Sequence, residues 1–153
     1  TGHSLGGMCS GLFAEKYPNR VKALAPISTT VSGKLWKEIK DPKELKEWEE
    51  RGYEERVSNS RPGIIRRVGW NLMKDGMKYD LLVNSNFLTM PLLMVVGSKD
   101  TSTPYIQQKI LFDAAAATRK EIHVIENSPH TFREPAHIAE LKNYFLAWLK
   151  KIE

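Results

Sequence analysis

Cysteine occurs once in the 153 residues, at Cys9, so the chain can form no internal disulfide and nothing in it calls for an oxidising compartment. A reducing cytoplasm is the expected setting. Long apolar runs are also missing: stretches such as Leu88 to Gly97 fall well short of the ~20 residues that span a bilayer. No membrane span is expected. The charge has no basic stripe. There are 23 Lys and Arg against 18 Asp and Glu, a net of +5, and the two signs interleave, as in KLWKEIKDPKELKEWEERGYEERV. That interspersion is the signature of a solvated helical surface rather than a phosphate-tracking face, so nucleic acid is not an expected partner. Metal and dinucleotide signatures are missing as well. His3, His123, His130 and His137 include no i, i+4 pair, and Gly2, Gly6 and Gly7 do not match the dinucleotide spacing. No metal and no cofactor is expected.

The chain does have a core: 41% of its residues are hydrophobic, enough for one domain. After the opening TGHSLGG, the residues Met8, Leu12 and Phe13 predict a short helix ended by Pro18-Asn19, and Val21 to Thr29 predicts a buried strand. From Gly33 to about Asn86 charge density rises and Trp36, Trp48 and Trp70 appear. With Pro62 in a first helical turn and Ile64, Val68 and Leu72 four apart, this stretch predicts a helical insertion. Pro91 to Gly97 then predicts a second strand, Pro104 to Ala117 a helix, Glu121 to Glu126 a third strand, and Pro135 to Lys151 a final helix. The expected apolar face of that helix is Ile138, Leu141, Phe145 and Leu149. Strands alternating with helices imply an α/β fold with a parallel sheet, whose reactive residues stand in loops beyond the carboxyl ends of strands. The expected division is a core segment 1–33, the insertion 34–86, and a second core segment 87–153.

Those loop positions hold the candidate chemistry. Gly2-His3-Ser4-Leu5-Gly6 matches G-x-S-x-G, in which flanking glycines let a serine project from a sharp strand-to-helix turn. Alone the motif is weak, since chance supplies it in about 5% of chains this long. The helical pattern that follows would aim the amide of Leu5 at an oxyanion formed at Ser4. A serine needs a base, and of four histidines only His130, in NSPHTF after the third strand, has the loop position for one. Asp100, in VVGSKDTSTP, follows the second strand in the same way. Its other use is an Asx turn before Pro104. Glu126 is the reserve acid. Cys9, more than a turn beyond Ser4, is expected to be a small packing residue.

In combination GHSLGG, VVGSKDTSTP and NSPHTF resemble the nucleophile elbow, acid loop and histidine loop of the alpha/beta-hydrolases. The likeness is to the small-cap serine hydrolases: carboxylesterases, feruloyl-type esterases, monoacylglycerol lipases and serine aminopeptidase-like proteins. The resemblance implies an alpha/beta-hydrolase sheet with a cap at the insertion, a Ser4, Asp100 and His130 triad, and a small-molecule ester or amide substrate. It makes ester hydrolysis the expected activity, with an aminopeptidase or amidase as one alternative and a non-catalytic binding scaffold as another. His3, Trp36, Trp70, Tyr105 and Phe132 are candidate substrate contacts, although the tryptophans serve equally as packing of the insertion. The likeness covers the carboxyl-terminal part of such a hydrolase. On that resemblance, the strand entering the elbow is expected to be represented here only by Thr1, and the loop supplying a second oxyanion amide to lie outside this segment. The segment alone is therefore expected to be poorly active, and its parent to be the enzyme.

Overall fold

A computed structural model describes residues 1–57 and 63–152, which form two compact units: 1–31 with 81–152, and 32–57 with 63–80, the latter called the 32–80 unit below. The first unit is built on four parallel strands in the order β1 (Gly2–His3), β2 (Pro26–Ile27), β5 (Leu92–Gly97), β6 (Lys120–Ile125). Its helices are α1 (Leu5–Lys16), α5 (Tyr105–Ala114) and α6 (Pro135–Ile152).

β5 is the central element and the most apolar. All six of its residues are buried, as expected for a strand covered on both faces. Alternation sends Leu93 and Val95 to one face and Leu92, Met94 and Val96 to the other. On the first face Leu93 and Val95 meet Ala25, Ile27, Ile125, Phe132 and Trp148, with Leu141, Tyr144 and Phe145 of α6 closing over them. Burying one such large apolar side chain contributes about 1.5–3 kcal/mol, so this layer is what holds α6 in place. Its buried stripe differs from the expected one. Trp148 is buried and Ile152 packs on the cluster, whereas Ile138 and Leu149 are exposed. The 100° step of the helix brings 141, 144, 145, 148 and 152 to one side, and aromatic bulk at 144 and 148 decides which side is buried.

The strand expected over Val21 to Thr29 is shorter. Pro26 has no N–H for the ladder, and Ser28, with φ 40, turns the chain out of the sheet. Leu24 joins by an isolated bridge to Leu92. A strand that the sequence showed only as Thr1 is present, with Gly2 opposite Pro26 and His3 opposite Ile27. Cys9 is exposed, which corrects its expected packing role.

The second unit contains α2 (Gly33–Glu38), α3 (Pro42–Arg51), β3 (Tyr53–Val57), β4 (Ile65–Gly69) and α4 (Asn71–Gly76). Asp41 caps α3 by accepting from the amides of Lys43 and Glu44, with Pro42 at the first position and Gly52, at φ 75, ending it. The insertion is thus helical only in part. Ile65–Gly69 is a strand paired antiparallel with Tyr53–Val57, where a helical repeat through Ile64, Val68 and Leu72 was expected. Cross-strand pairing wins here: Val68 packs on Trp48, Ile64 and Ile65 are exposed, and Arg67 pairs with Glu55 directly across the hairpin at 3.0 Å. Pro62 lies outside the described residues. Trp48, Trp70 and Met73 form the core of the unit, with Trp36, Leu45, Val68 and Met77 packed against it. The Trp48 and Trp70 rings meet edge to face at 5.3 Å, and the Trp48 indole N–H donates to the Val68 carbonyl at 2.8 Å.

Candidate active site

Ser4 stands between β1 and α1 with φ 57 and ψ −123, a backbone conformation that costs a non-glycine residue on the order of 1–3 kcal/mol. Backbone hydrogen bonds hold it there: its N–H donates to the Ile27 carbonyl at 3.0 Å, and its carbonyl accepts from the amides of Gly7 at 3.0 Å and of Met8 and Thr30 at 3.2 Å. The turn is so tight that a Cβ on Gly2 would collide with the carbonyl of Gly6. Gly6 itself has open space where a Cβ would stand, so among the described residues only the first glycine of the motif is demanded by packing. Leu5 opens α1 with an exposed side chain, and as the first helical residue its N–H has no intrahelical acceptor.

The second and third loops leave the carboxyl ends of β5 and β6. Gly97 ends β5 where a Cβ would collide with the carbonyl of Ser128, so the absence of a side chain lets the two loops touch. Lys99 N–H then donates to that carbonyl at 3.0 Å. Asp100 is buried, 4% exposed, and serves as both an Asx turn and a partner of His130. Its Oδ1 accepts from the amides of Ser102 and Thr103, each at 2.9 Å, and its Oδ2 accepts from the Thr103 hydroxyl at 2.9 Å and from His130 Nδ1 at 2.8 Å. Burial pushes the carboxyl pKa up, but the hydrogen bonds from His130 and Thr103 outweigh burial and hold it below the ordinary carboxylate value.

His130 Nε2 lies 3.0 Å from Ser4 Oγ, so Ser4, His130 and Asp100 form one line of hydrogen bonds. With Nδ1–H given to Asp100, Nε2 is left to accept the serine proton. His3 lies beside this line. Its Nε2–H donates to the His130 carbonyl at 2.7 Å, and its ring is 4.6 Å from the His130 ring and edge-on to Phe132 at 6.1 Å. Phe132 is a core residue, 6% exposed, while Tyr105 at the start of α5 is 41% exposed. Trp36 and Trp70 belong to the aromatic core of the second unit. Glu126, the reserve acid, is exposed just past β6, and His123 stacks on Tyr144 at 4.1 Å.

Sequence reading missed Gly97, Thr103 and Gln108. Nothing in a linear pattern marks a glycine that must admit another loop, or a glutamine whose partners are 79 residues away. It also missed an open apolar groove of about 650 Å³ beside the histidine loop, lined by Ile27, Phe132, Ile138, Leu141 and Phe145. Among the described residues no group of three His, Cys, Asp or Glu side chains could hold a metal ion.

Solved structures share this architecture. Alpha/beta hydrolase domain-containing protein 10 from mouse is 23% identical with a TM-score of 0.77, over 99% of this chain and 61% of that one. Monoacylglycerol lipase from Paleococcus ferrophilus is 19% identical with a TM-score of 0.74, over 99% and 67%. Est1E from Butyrivibrio proteoclasticus, solved with ferulic acid bound, is 19% identical with a TM-score of 0.69, over 98% and 59%. The chain thus spans about three-fifths of the length of these proteins, and the fold is that of an alpha/beta-hydrolase. No curated protein sequence matches it. The family model described as the prolyl oligopeptidase family, however, matches residues 1–152, and the chain belongs to that family.

Proposed function

We propose that the full-length protein is a cofactor-independent serine hydrolase of carboxylic esters, with Ser4 as nucleophile, His130 as base and acid, and Asp100 as the carboxylate that orients it. The observation that carries this reading is the unbroken line from Ser4 Oγ to His130 Nε2 at 3.0 Å and from His130 Nδ1 to Asp100 Oδ2 at 2.8 Å. Ser4 Oγ bonds to the ester carbonyl carbon as its proton passes to Nε2. The carbonyl oxygen becomes an oxyanion, which the Leu5 N–H at the amino terminus of α1 meets. The carbonyl re-forms, the C–O bond to the alcohol breaks, and Nε2–H protonates the departing oxygen. Water, deprotonated by His130, then attacks the acyl-serine and frees the acid and Ser4. Asp100 stays ionised throughout and stabilises the imidazolium.

The relatives support an ester or lipid substrate by their names: a monoacylglycerol lipase, the esterase domain of a Rhodothermus marinus protein, and Est1E with ferulic acid bound. The family description supports a second reading, cleavage of an amide or peptide, in which Nε2–H protonates a departing amine. Tyr105 is the side chain we assign to substrate contact, because it is exposed beside the acid loop. No helix among the described residues is long and apolar enough to cross a membrane. Because its one cysteine, Cys9, needs no oxidising compartment, a reducing cytoplasm is the setting we propose for the protein.

The test is p-nitrophenyl butyrate hydrolysis by the full-length protein and its Ser4→Ala variant, with an aminoacyl p-nitroanilide run in parallel and fluorophosphonate labelling as a second readout. Ser4→Ala is expected to lower kcat by about 10⁶-fold and to abolish labelling. Unchanged turnover in that variant sinks the reading of Ser4 as nucleophile, and a full-length protein that neither turns over nor labels is a binding scaffold. A higher kcat/KM on the anilide moves it to the peptidase reading.

A further inference from the structure

The buried polar groups around the acid loop converge on one hydroxyl that the mechanism above does not use. Thr103 is 2% exposed, and its Oγ1 lies 2.9 Å from Asp100 Oδ2, 3.2 Å from His130 Nδ1 and 3.0 Å from the Ser28 carbonyl. Its own N–H donates to Asp100 Oδ1 at 2.9 Å. One residue therefore grips both oxygens of the carboxylate, the amide on Oδ1 and the hydroxyl on Oδ2. That two-point grip stops rotation about the Cβ–Cγ bond and leaves an Oδ2 lone pair facing Nδ1. The hydroxyl has a single proton shared between two acceptors, Oδ2 and the Ser28 carbonyl, so its oxygen keeps a lone pair for the Nδ1–H.

Thr103 is itself tied to the elbow. Gln108, 1% exposed, donates through Nε2 to the Thr103 carbonyl at 3.3 Å and to the Thr29 carbonyl at 2.8 Å, while its Oε1 accepts from the Thr29 N–H at 3.1 Å. Thr29 Oγ1 and Thr30 N–H in turn reach the Ser4 carbonyl, at 3.4 and 3.2 Å. The loop that carries the acid and the turn that carries the serine are thus joined by a continuous chain of hydrogen bonds, buried from Thr103 through Gln108 to Thr29 and half-buried where it reaches Ser4.

We infer that Thr103 is a positioning residue of this site, whose hydroxyl fixes the Asp100 carboxylate against His130 and, through Gln108, registers the acid loop on the nucleophile turn; this rests on the serine-hydrolase reading. A hydroxyl that only filled space would be replaceable by a methyl. Thr103→Val in the full-length protein keeps the shape and removes the donor. It is expected to lower kcat on p-nitrophenyl butyrate by about 10- to 100-fold, the range for one hydrogen bond to a charged group, with KM changed by less than about 2-fold. Thr103→Ser, which restores the hydroxyl, is expected to recover kcat to within about 5-fold of the parent.

Ser4→Ala is measured beside them. If it is inactive while Thr103→Val turns over at the parental rate, the inference falls and the serine-hydrolase reading stands. If Ser4→Ala keeps the parental rate, the hydrolase reading falls and this inference with it. Should Thr103→Val fail to fold, Thr103→Ser decides: kcat within about 5-fold at an unchanged Tm supports the role, and a loss beyond about 10-fold overturns it.

Discussion

Asp100 Oδ2 and His130 Nδ1 meet at 2.8 Å across 30 residues of sequence, and the aspartate side chain is wholly buried in that contact. The pair is possible because β5 and β6 are hydrogen-bonded neighbours, from Leu92 opposite Lys120 to Gly97 opposite Ile125, so the loops that follow them emerge side by side. Three predictions concern the aspartate of the site, the glycines of the nucleophile turn, and the core of the 32–80 unit.

Asp100→Asn should leave KM of the full-length protein nearly unchanged and lower kcat about 10⁴-fold, because an amide no longer selects the Nδ1–H tautomer. The same variant should reveal a linkage to pH. Asp100 titrates below the ordinary carboxylate value in the folded state, so its contribution to stability is complete above the unfolded value of about 3.9 and is lost as pH falls through the lower folded value. Urea midpoints measured from pH 7 to 2.5 should therefore converge for parent and variant only below about pH 4. A constant gap across that range would count against the paired carboxylate.

The two glycines of the motif should respond differently. Gly2→Ala forces a Cβ into the carbonyl of Gly6 and should lower stability by about 1–3 kcal/mol, whereas Gly6→Ala meets nothing and, within a helix, should be neutral or stabilising by about 0.4–1 kcal/mol. Thermal unfolding of the two full-length variants tests this, and equal losses would show that the open space at Gly6 is filled by other parts of the protein.

Trp48 is the most buried member of the aromatic core in the 32–80 unit, 2% exposed. Trp48→Ala removes its contacts with Trp36 and Trp70 and its bond to the Val68 carbonyl, and should destabilise that unit by about 3–5 kcal/mol. Hydrogen exchange read by peptide should rise across residues 33–57 and 63–76. Unchanged protection there would refute the assignment of Trp48 as its core.

Much of this was legible in one dimension because the relevant physics is local. A fully apolar strand such as Leu92 to Gly97, a glycine-bounded serine, and an aspartate and a histidine each just past a strand are short-range patterns, and their order along the chain already implied a parallel sheet with its chemistry at one end. The β3–β4 hairpin was not legible, since Ile64, Val68 and Leu72 satisfy a four-residue period as well as alternation does. Pairing with Tyr53–Val57 and the packing of Val68 on Trp48 settled the matter, and both are contacts between separate segments.

The sequence by itself determined that a serine, an aspartate and a histidine each stand just past the end of a strand. Only the tertiary structure decided their alignment: that Gly97 must be bare so that Ser128 can approach, that Thr103 holds both oxygens of Asp100, and that Gln108 joins the acid loop to Thr29. The reason is physical. A hydrogen bond to a buried group is set by distances of a few tenths of an ångström between segments far apart in the chain, and no periodicity of side chains encodes that distance.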